Sequence, residues 1–199
     1  MRKLGIICLF FLFVTAQAST WIKEFEKDNI KVFSKASDQR IIPFKAIAVF
    51  DLSESRLLEV LRDYQSKNLW APKLKSVEMH KELGKEKYIF SEYYKVPWPF
   101  YDRQFLLEGE IVEIKGGHRM SAKSINRPQL IDPSHVVASV QKIDVQLKAL
   151  SAERTEVSFQ FEGDMGGWIP GWVSQIIQKR WPYKFLLKLK EQALKKPQG

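Results

Sequence analysis

Residues 166–196 read GGWIPGWVSQIIQKRWPYKFLLKLKEQALKK, and this stretch decides how the rest of the chain must be arranged. Pro170 suits the first turn of a helix, where the missing N–H costs no hydrogen bond. Pro182 removes one hydrogen bond farther along and is expected to bend the helix there. Apolar side chains recur at helical spacing at Trp172, Val173, Ile176 and Ile177. The stretch therefore predicts one long C-terminal helix with an apolar stripe to bury.

Four segments upstream alternate between two sets of residues, which predicts strands. The inward faces would be Tyr88, Phe90, Glu92, Tyr94 and Val96; Arg103, Phe105, Leu107, Gly109 and Ile111; Val137, Ser139, Gln141, Ile143, Val145, Leu147 and Ala149; and Thr155, Val157, Phe159, Phe161 and Gly163. A period of two with a single apolar face predicts an antiparallel sheet that is wet on its other side.

The N-terminal half adds a short helix over 21–27, strands over 30–34 and 44–50, and a helix that begins after the N-cap Ser53 and ends near Trp70. A sheet with one apolar face must be covered, and the final helix is long enough to cover it. The fold class is therefore α+β, with a curved antiparallel sheet wrapped around the C-terminal helix and a hydrophobic cavity between them.

The first residues are expected to lie outside this fold. Arg2 and Lys3 precede an apolar run from Leu4 to Val14, and Ala16-Gln17-Ala18 then resembles a cleavage site. This pattern predicts a secretory signal peptide over 1–18, cut after Ala18, and a single domain over 19–199. The alternative is a buried N-terminal helix. Cleavage would also remove Cys8, the only cysteine, and with it any disulfide or cysteine-ligated metal.

The formal net charge is +9, and the excess lies near the C-terminus. Residues 179–196 contain one acid, Glu191, and the basic residues Lys179, Arg180, Lys184, Lys188, Lys190, Lys195 and Lys196. A basic patch favours an anionic membrane or nucleic acid, and export argues against nucleic acid. The candidate membrane-docking residues are Trp168, Trp181, Lys184, Lys188 and Lys190, because tryptophans flanked by lysines are typical of an interfacial helix. The alternative is ordinary core packing beneath a solvated face.

No catalytic constellation stands out in the sequence. The histidines His80, His118 and His135 lack metal-ligand spacing, and neither a glycine-rich phosphate loop nor a Gly-x-Ser-x-Gly elbow is present. We therefore expect a binding module without metal or cofactor rather than an enzyme.

One polar pair is the main candidate for ligand contact. Glu92 and Arg103 both fall on inward faces, on either side of the proline-rich connection VPWPFY at 96–101. Each charge alone would be costly to bury, so the sequence predicts that they pair across a hairpin with spare hydrogen-bonding capacity toward the cavity. The alternative is a structural ion pair at the rim of the sheet.

Three segments resemble the START (steroidogenic-acute-regulatory-type) lipid-transfer domain in its bacterial exported form. They are Trp70, PWPFYDRQF at 97–105, and GDMGGWIPGWVSQ at 163–175. The resemblance implies a helix-grip fold, a tunnel for one lipid-like molecule, and a lid made by the final helix and nearby loops. Gln104 departs from the acid that the family often carries, but that position is expected to point outward.

The candidate lining residues are Trp70, Phe90, Glu92, Tyr94, Trp98, Arg103, Phe105, Gln141, Ile143, Phe159, Phe161, Trp172 and Ile176. We expect a monomeric periplasmic or secreted carrier or sensor of a lipid or other hydrophobic molecule. One alternative is a cyclase or aromatase of the same superfamily with Glu92 or Tyr94 as acid-base. Another is a pocket filled by side chains, in a protein that binds a protein partner.

Overall fold

The computed structural model describes residues 20–37 and 40–195. The signal peptide predicted over 1–18, its cleavage after Ala18, and Lys196 therefore lie outside the described residues. The strands are β1 Ile22–Lys27, β2 Ile30–Ser34, β3 Phe44–Phe50, β4 Leu74–Gly84, β5 Lys87–Tyr94, β6 Arg103–Ile114, β7 Gly117–Ser124, β8 Val136–Ser151 and β9 Arg154–Asp164. The helices are α1 Glu54–Arg62 and α2 Gly171–Lys195, with 3₁₀ turns at Lys67–Leu69 and Pro128–Leu130.

The described strands form one curved sheet in the order β1-β2-β3-β9-β8-β7-β6-β5-β4. All neighbours in this order are antiparallel, and β6 adds a short parallel pairing, Arg103–Phe105 with Val136–Ala138. Helix α2 packs on the inner face of the sheet. The α+β class and the predicted sheet around a long C-terminal helix are confirmed.

The two halves of α2 are held differently. Its buried residues all lie from Pro182 onward: Pro182, Phe185, Leu186, Leu189 and Ala193. Burying each large apolar side chain contributes about 1.5–3 kcal/mol. Arg56 from α1 adds a hydrogen bond from its Nε to the carbonyl of Ala193, 2.6 Å away. No residue of 171–180 is buried, although Gln178 donates to the carbonyl of Pro43 at 3.3 Å and Lys179 pairs with Glu24 at 2.8 Å, so burial is confined to the part of α2 from Pro182 onward.

The helix predicted over 21–27 is wrong, because these residues form β1. Strands β1 and β2 make a hairpin whose turn residues, Asp28 and Asn29, have φ of 52° and 60°. Two consecutive left-handed residues give the turn whose twist matches a hairpin, and Asp and Asn tolerate that conformation best after glycine. The second helix also ends earlier than predicted, at Arg62 rather than near Trp70, although Ser53 is its N-cap as expected.

Strand β8 changes face at a bulge. Its register with β9 shifts between Val140 and Lys142, which leaves Gln141 as the extra residue. Ile143, Val145 and Leu147 face inward as predicted. The predicted inward positions of Val137, Ser139 and Gln141 are wrong: these three are exposed, while Ala138 and Val140 are buried.

Gln104 points away from the inner face, as expected, but it is fully buried rather than wet. Its side-chain amide donates to Ser91 Oγ at 2.9 Å and to the carbonyl of Leu130 at 2.8 Å. Gln104 Oε1 in turn accepts from the backbone N–H of Asp132 at 2.9 Å. The amide thus fastens the loop around the Pro128–Leu130 turn onto the outer face of the sheet.

Candidate ligand-binding site

The structure divides the predicted lining residues into an interior set and an exposed set. Trp70, Phe90, Glu92, Tyr94, Arg103, Phe105, Phe159 and Phe161 are buried. Ile143 is half-buried, and Trp98, Gln141, Trp172 and Ile176 are exposed. The interior set lies between the sheet and α2, where the sequence places the cavity.

Aromatic rings fill most of that space. Trp181 from α2 lies 5.6 Å from Phe44, 5.3 Å from Tyr94 and 5.4 Å from Phe161, measured between ring centroids. Trp70 and Phe185 meet farther along, at 5.4 Å. Edge-to-face contacts of this kind stabilise aromatic clusters beyond the area they bury. Trp181, which the sequence offers as a membrane-docking residue, therefore packs against the inner face of the sheet.

A small cavity lies on the inner side of the sheet, and we call it the enclosed cavity. Its volume is about 20 Å³, and it is lined by Tyr64, Lys67, Phe90, Glu92, Leu107, Gly109, Met120, Ser121, Ala122 and Ile143. This is room for about one water molecule. This cavity is too small for a lipid-sized molecule, and none of its lining residues belongs to α2.

A buried polar cluster borders this cavity. The ammonium of Lys67 donates to Glu92 Oε1, and the Tyr94 hydroxyl donates to Glu92 Oε2 at 2.7 Å. Lys67 is 8% exposed and Glu92 is 2% exposed, so both charges are largely removed from water. Lys67 reaches the cluster because the chain turns after α1, where Asp63 Oδ1 accepts from the backbone N–H of Ser66 at 3.1 Å.

Two phenols stand beside the Glu92 carboxylate. Burial raises the pKa of Tyr94 well above its usual value, and the charge of Glu92 raises it further. Burial also raises the pKa of Tyr64, again with a contribution from Glu92. Both hydroxyls therefore remain protonated at neutral pH and can donate hydrogen bonds.

The predicted ion pair between Glu92 and Arg103 is wrong. In the β5–β6 ladder Glu92 is opposite Phe105, and Arg103 is opposite Tyr94. The partner that sequence reasoning missed is Lys67. A signal for it exists, since Lys67 follows Val60 and Tyr64 at helical steps of four and three, on the apolar side of the longer helix that the sequence predicts from Ser53 to near Trp70.

Arg103 instead joins two loops through backbone carbonyls. Its Nε donates to Met165 at 3.0 Å, its Nη2 donates to Gly166 at 3.1 Å, and its Nη1 donates to Tyr101. A planar guanidinium presents donors in several directions at once, so one side chain can satisfy all three acceptors. The connection between β5 and β6 is thereby fastened to the loop between β9 and α2.

These two loops and the start of α2 carry an apolar surface, which we call the aromatic rim: the exposed Trp98, Tyr101, Trp168, Trp172 and Ile176, and the half-buried Phe100. Trp98 is 92% exposed, Trp168 75%, Tyr101 73% and Trp172 63%. Phe100 and Trp168 touch across the two loops, with ring centroids 6.1 Å apart. An exposed apolar cluster of this kind marks an interaction site.

The three lysines proposed for membrane docking lie farther along α2. Lys184 is exposed, while Lys188 pairs with Glu191 at 2.6 Å. The ammonium of Lys190 lies 5.6 Å from the centroid of the Phe50 ring. From Trp172 to Lys190 the helix rises about 27 Å, so the rim and the lysines are far apart along the axis.

Within residues 20–37 and 40–195, no three histidine, cysteine, aspartate or glutamate side chains are grouped so that they could hold a metal ion. In the same part of the chain, no helix combines the length and apolar character that crossing a bilayer requires.

Comparison by sequence gives no match, either to a family model or to a curated protein. Comparison by structure does. Human STARD10 matches with a TM-score of 0.81 at 16% identity, over 89% of this chain and 74% of that chain. The STAR-related lipid transfer protein of Xanthomonas axonopodis matches with a TM-score of 0.74 at 18% identity, over 88% and 99%. The Zhui aromatase/cyclase of Streptomyces sp. R1128 is more distant, with a TM-score of 0.55 at 11% identity, over 77% and 94%.

The chain therefore has the helix-grip fold of the START domains, as its sequence motifs indicate. Identities this low establish the fold, and function has to be argued from the site.

Proposed function

We propose that the protein binds one lipid-like amphiphile between the sheet and α2 and carries or senses it without catalysis. The observation that carries the proposal is the Lys67–Glu92–Tyr94 cluster on the wall of an otherwise apolar interior. A mostly apolar site with a few fixed polar groups is how proteins orient small amphiphilic ligands. The similarity in fold to proteins named for lipid transfer supports the same conclusion.

Ligand uptake requires the N-terminal half of α2 to move away from the sheet. Residues 171–180 include no buried side chain, whereas the second half is held by Phe185, Leu186 and Leu189. Moving the first half and the Trp181 ring opens the interior toward the aromatic rim. The test is saturable 1:1 binding of a fluorescent amphiphile, with quenching of the interior tryptophans; an unsaturable response would contradict the proposal.

A second candidate function is a cyclase-type enzyme. The contact of the Tyr94 hydroxyl with Glu92 at 2.7 Å favours it, because a phenol beside a carboxylate can move a proton. However, both oxygens of Glu92 already accept hydrogen bonds, from Lys67 and Tyr94, which favours a positioning role. Glu92→Gln separates the two functions: a carrier keeps binding its ligand, whereas an enzyme loses turnover.

We propose further that the protein is exported as a monomer and docks on anionic membrane through the aromatic rim. Tryptophan and tyrosine are the residues that favour the bilayer interface. We expect Trp98→Ala/Trp172→Ala to weaken partitioning onto vesicles of phosphatidylglycerol and phosphatidylethanolamine by about tenfold or more, because each substitution removes a large ring from the interface. Flotation of the protein with these vesicles measures the change.

The matched control is Val112→Ala/Leu150→Ala, which removes exposed apolar groups near the opposite ends of the strands. It should partition like the wild type. If the rim variant partitions normally while Lys184→Gln/Lys188→Gln/Lys190→Gln does not, docking uses the lysines of α2 instead.

A further inference from the structure

A second cavity lies on the outer face of the sheet. This outer groove has a volume of about 360 Å³. It is lined by Lys87, Glu108, Gly109, Glu110, Arg119, Ser121, Ala122, Lys123, Gln141, Lys142 and Ile143. The volume is in the range of small-molecule sites, and the charged lining differs from the apolar interior.

The outer groove and the enclosed cavity share one wall. Gly109, Ser121, Ala122 and Ile143 line both. Ala122 and Ile143 lie on the inner face of their strands, yet both are only half-buried. The enclosed cavity of about 20 Å³ is too small to account for this exposure, so the outer groove reaches the inner-face side chains.

The opening follows from the strand pairing. The ladder between β7 and β8 ends at Ala122 and Ile143. Beyond the bulged Gln141, Ser124 Oγ accepts from the backbone N–H of Val140 at 2.8 Å, and β8 then continues beside β6. The segments 123–124 and 140–142 therefore lie beyond the last ladder pair of β7 and β8, and we call this gap the seam.

Two cations that flank the seam, Lys123 and Lys142, have no carboxylate partner among the described residues. Lys87 lies 3.0 Å from Glu108, and Arg119 donates to Asp144 at 2.6 Å. The Lys142 ammonium donates only to a neutral group, the side-chain oxygen of Gln160, at 3.3 Å. Lys123 makes no ion pair within the part of the chain that the structure describes. Two unneutralised ammonium groups at one gap favour an anion.

We infer that the seam holds the anionic head of the ligand, a carboxylate or a phosphate, between Lys123 and Lys142. The inference rests on the proposed function, since the chain of the same ligand would occupy the interior. From Gly109 at the seam to Arg103 beside the aromatic rim, β6 spans about 20 Å, at about 3.3 Å per residue. The ligand would thus lie along the inner face of β6, with its head at the seam and its tail toward the rim.

The test compares a fluorescent fatty acid, cis-parinaric acid, with its methyl ester, which lacks the charge. The variant Lys123→Gln/Lys142→Gln should raise the Kd of the acid about tenfold, or about 1.4 kcal/mol, and leave the Kd of the ester unchanged. The matched control Lys115→Gln/Lys148→Gln removes the same charge from the turn before β7 and from the far part of β8, and should change neither Kd. Displacement by dodecyl phosphate and by inorganic phosphate distinguishes a lipid head from a free anion.

Each other outcome overturns the inference in a distinguishable way. If the seam variant binds the acid like the wild type, or loses affinity for the acid and the ester equally, the ligand's anionic head does not lie at the seam and the proposed function stands. If inorganic phosphate displaces the acid as well as dodecyl phosphate does, the groove is a separate anion site. If the wild type binds neither amphiphile, the proposed function fails as well.

Discussion

Replacing Lys67 with methionine is expected to lower the free energy of unfolding by about 3–5 kcal/mol. The substitution leaves the Glu92 carboxylate, which is 2% exposed, without its counter-charge in an apolar interior. The Tyr94 hydroxyl, its other partner, is neutral and cannot replace that charge. Urea denaturation followed by circular dichroism measures the loss.

A companion variant separates stability from ligand recognition. In Lys67→Met/Glu92→Leu/Tyr94→Phe all three polar groups are gone, so no charge or hydroxyl is left unpaired. Stability should return to within about 1 kcal/mol of the wild type, because apolar replacements of buried ion pairs are often neutral or stabilising. Its affinity for an amphiphile should nevertheless fall. A loss of less than 1 kcal/mol in the single variant would show that Lys67 and Glu92 remain solvated.

The second large effect is expected at Arg103. Arg103→Leu should lower the free energy of unfolding by about 3 kcal/mol, because it strips the hydrogen-bond donors from three backbone carbonyls in and beside the interior. Arg103→Lys should recover less than half of this, since one ammonium cannot span acceptors on two loops. Amide hydrogen exchange should also speed up in both loops, over 96–102 and 165–170.

Arg154→Leu is the control for the loss of an arginine. Arg154 and Asp51 form an exposed pair at 3.7 Å, which contributes little, so the variant should stay within about 0.5 kcal/mol of the wild type. Full recovery of stability by Arg103→Lys would contradict the role assigned to the guanidinium, because it would show that a single positive charge is sufficient there.

Much of the fold could be predicted because its strands carry one apolar face. The residues from Thr155 to Gly163 alternate without interruption, and the strand forms there as expected. By contrast, Leu74–Gly84 gives no clear pattern, because this edge strand is largely exposed and its register with β5 is irregular. Gln141 shows the limit of periodicity, since one extra residue reverses every preceding side chain of β8.

The site was harder to predict because its partners are distant in sequence or carry no side-chain signature. Both charges of the expected pair are buried, but Arg103 binds main-chain carbonyls, which a sequence does not display. Trp168 and Trp181 are both predicted from the sequence as membrane-docking residues, yet Trp168 is exposed on the rim and Trp181 packs among interior rings. Trp168 lies in the loop before α2, whereas Trp181 lies on the helix and packs against the inner face of the sheet.

The central claim is that the interior takes up one lipid-like molecule, although the enclosed cavity holds only about 20 Å³. Native mass spectrometry of the purified protein, followed by lipid extraction, tests it most directly. The account predicts a protein species whose mass exceeds that of the bare chain by one amphiphile. This species should disappear when the lipid is extracted and should reappear when amphiphile is added. A bare mass that persists with added amphiphile would contradict it.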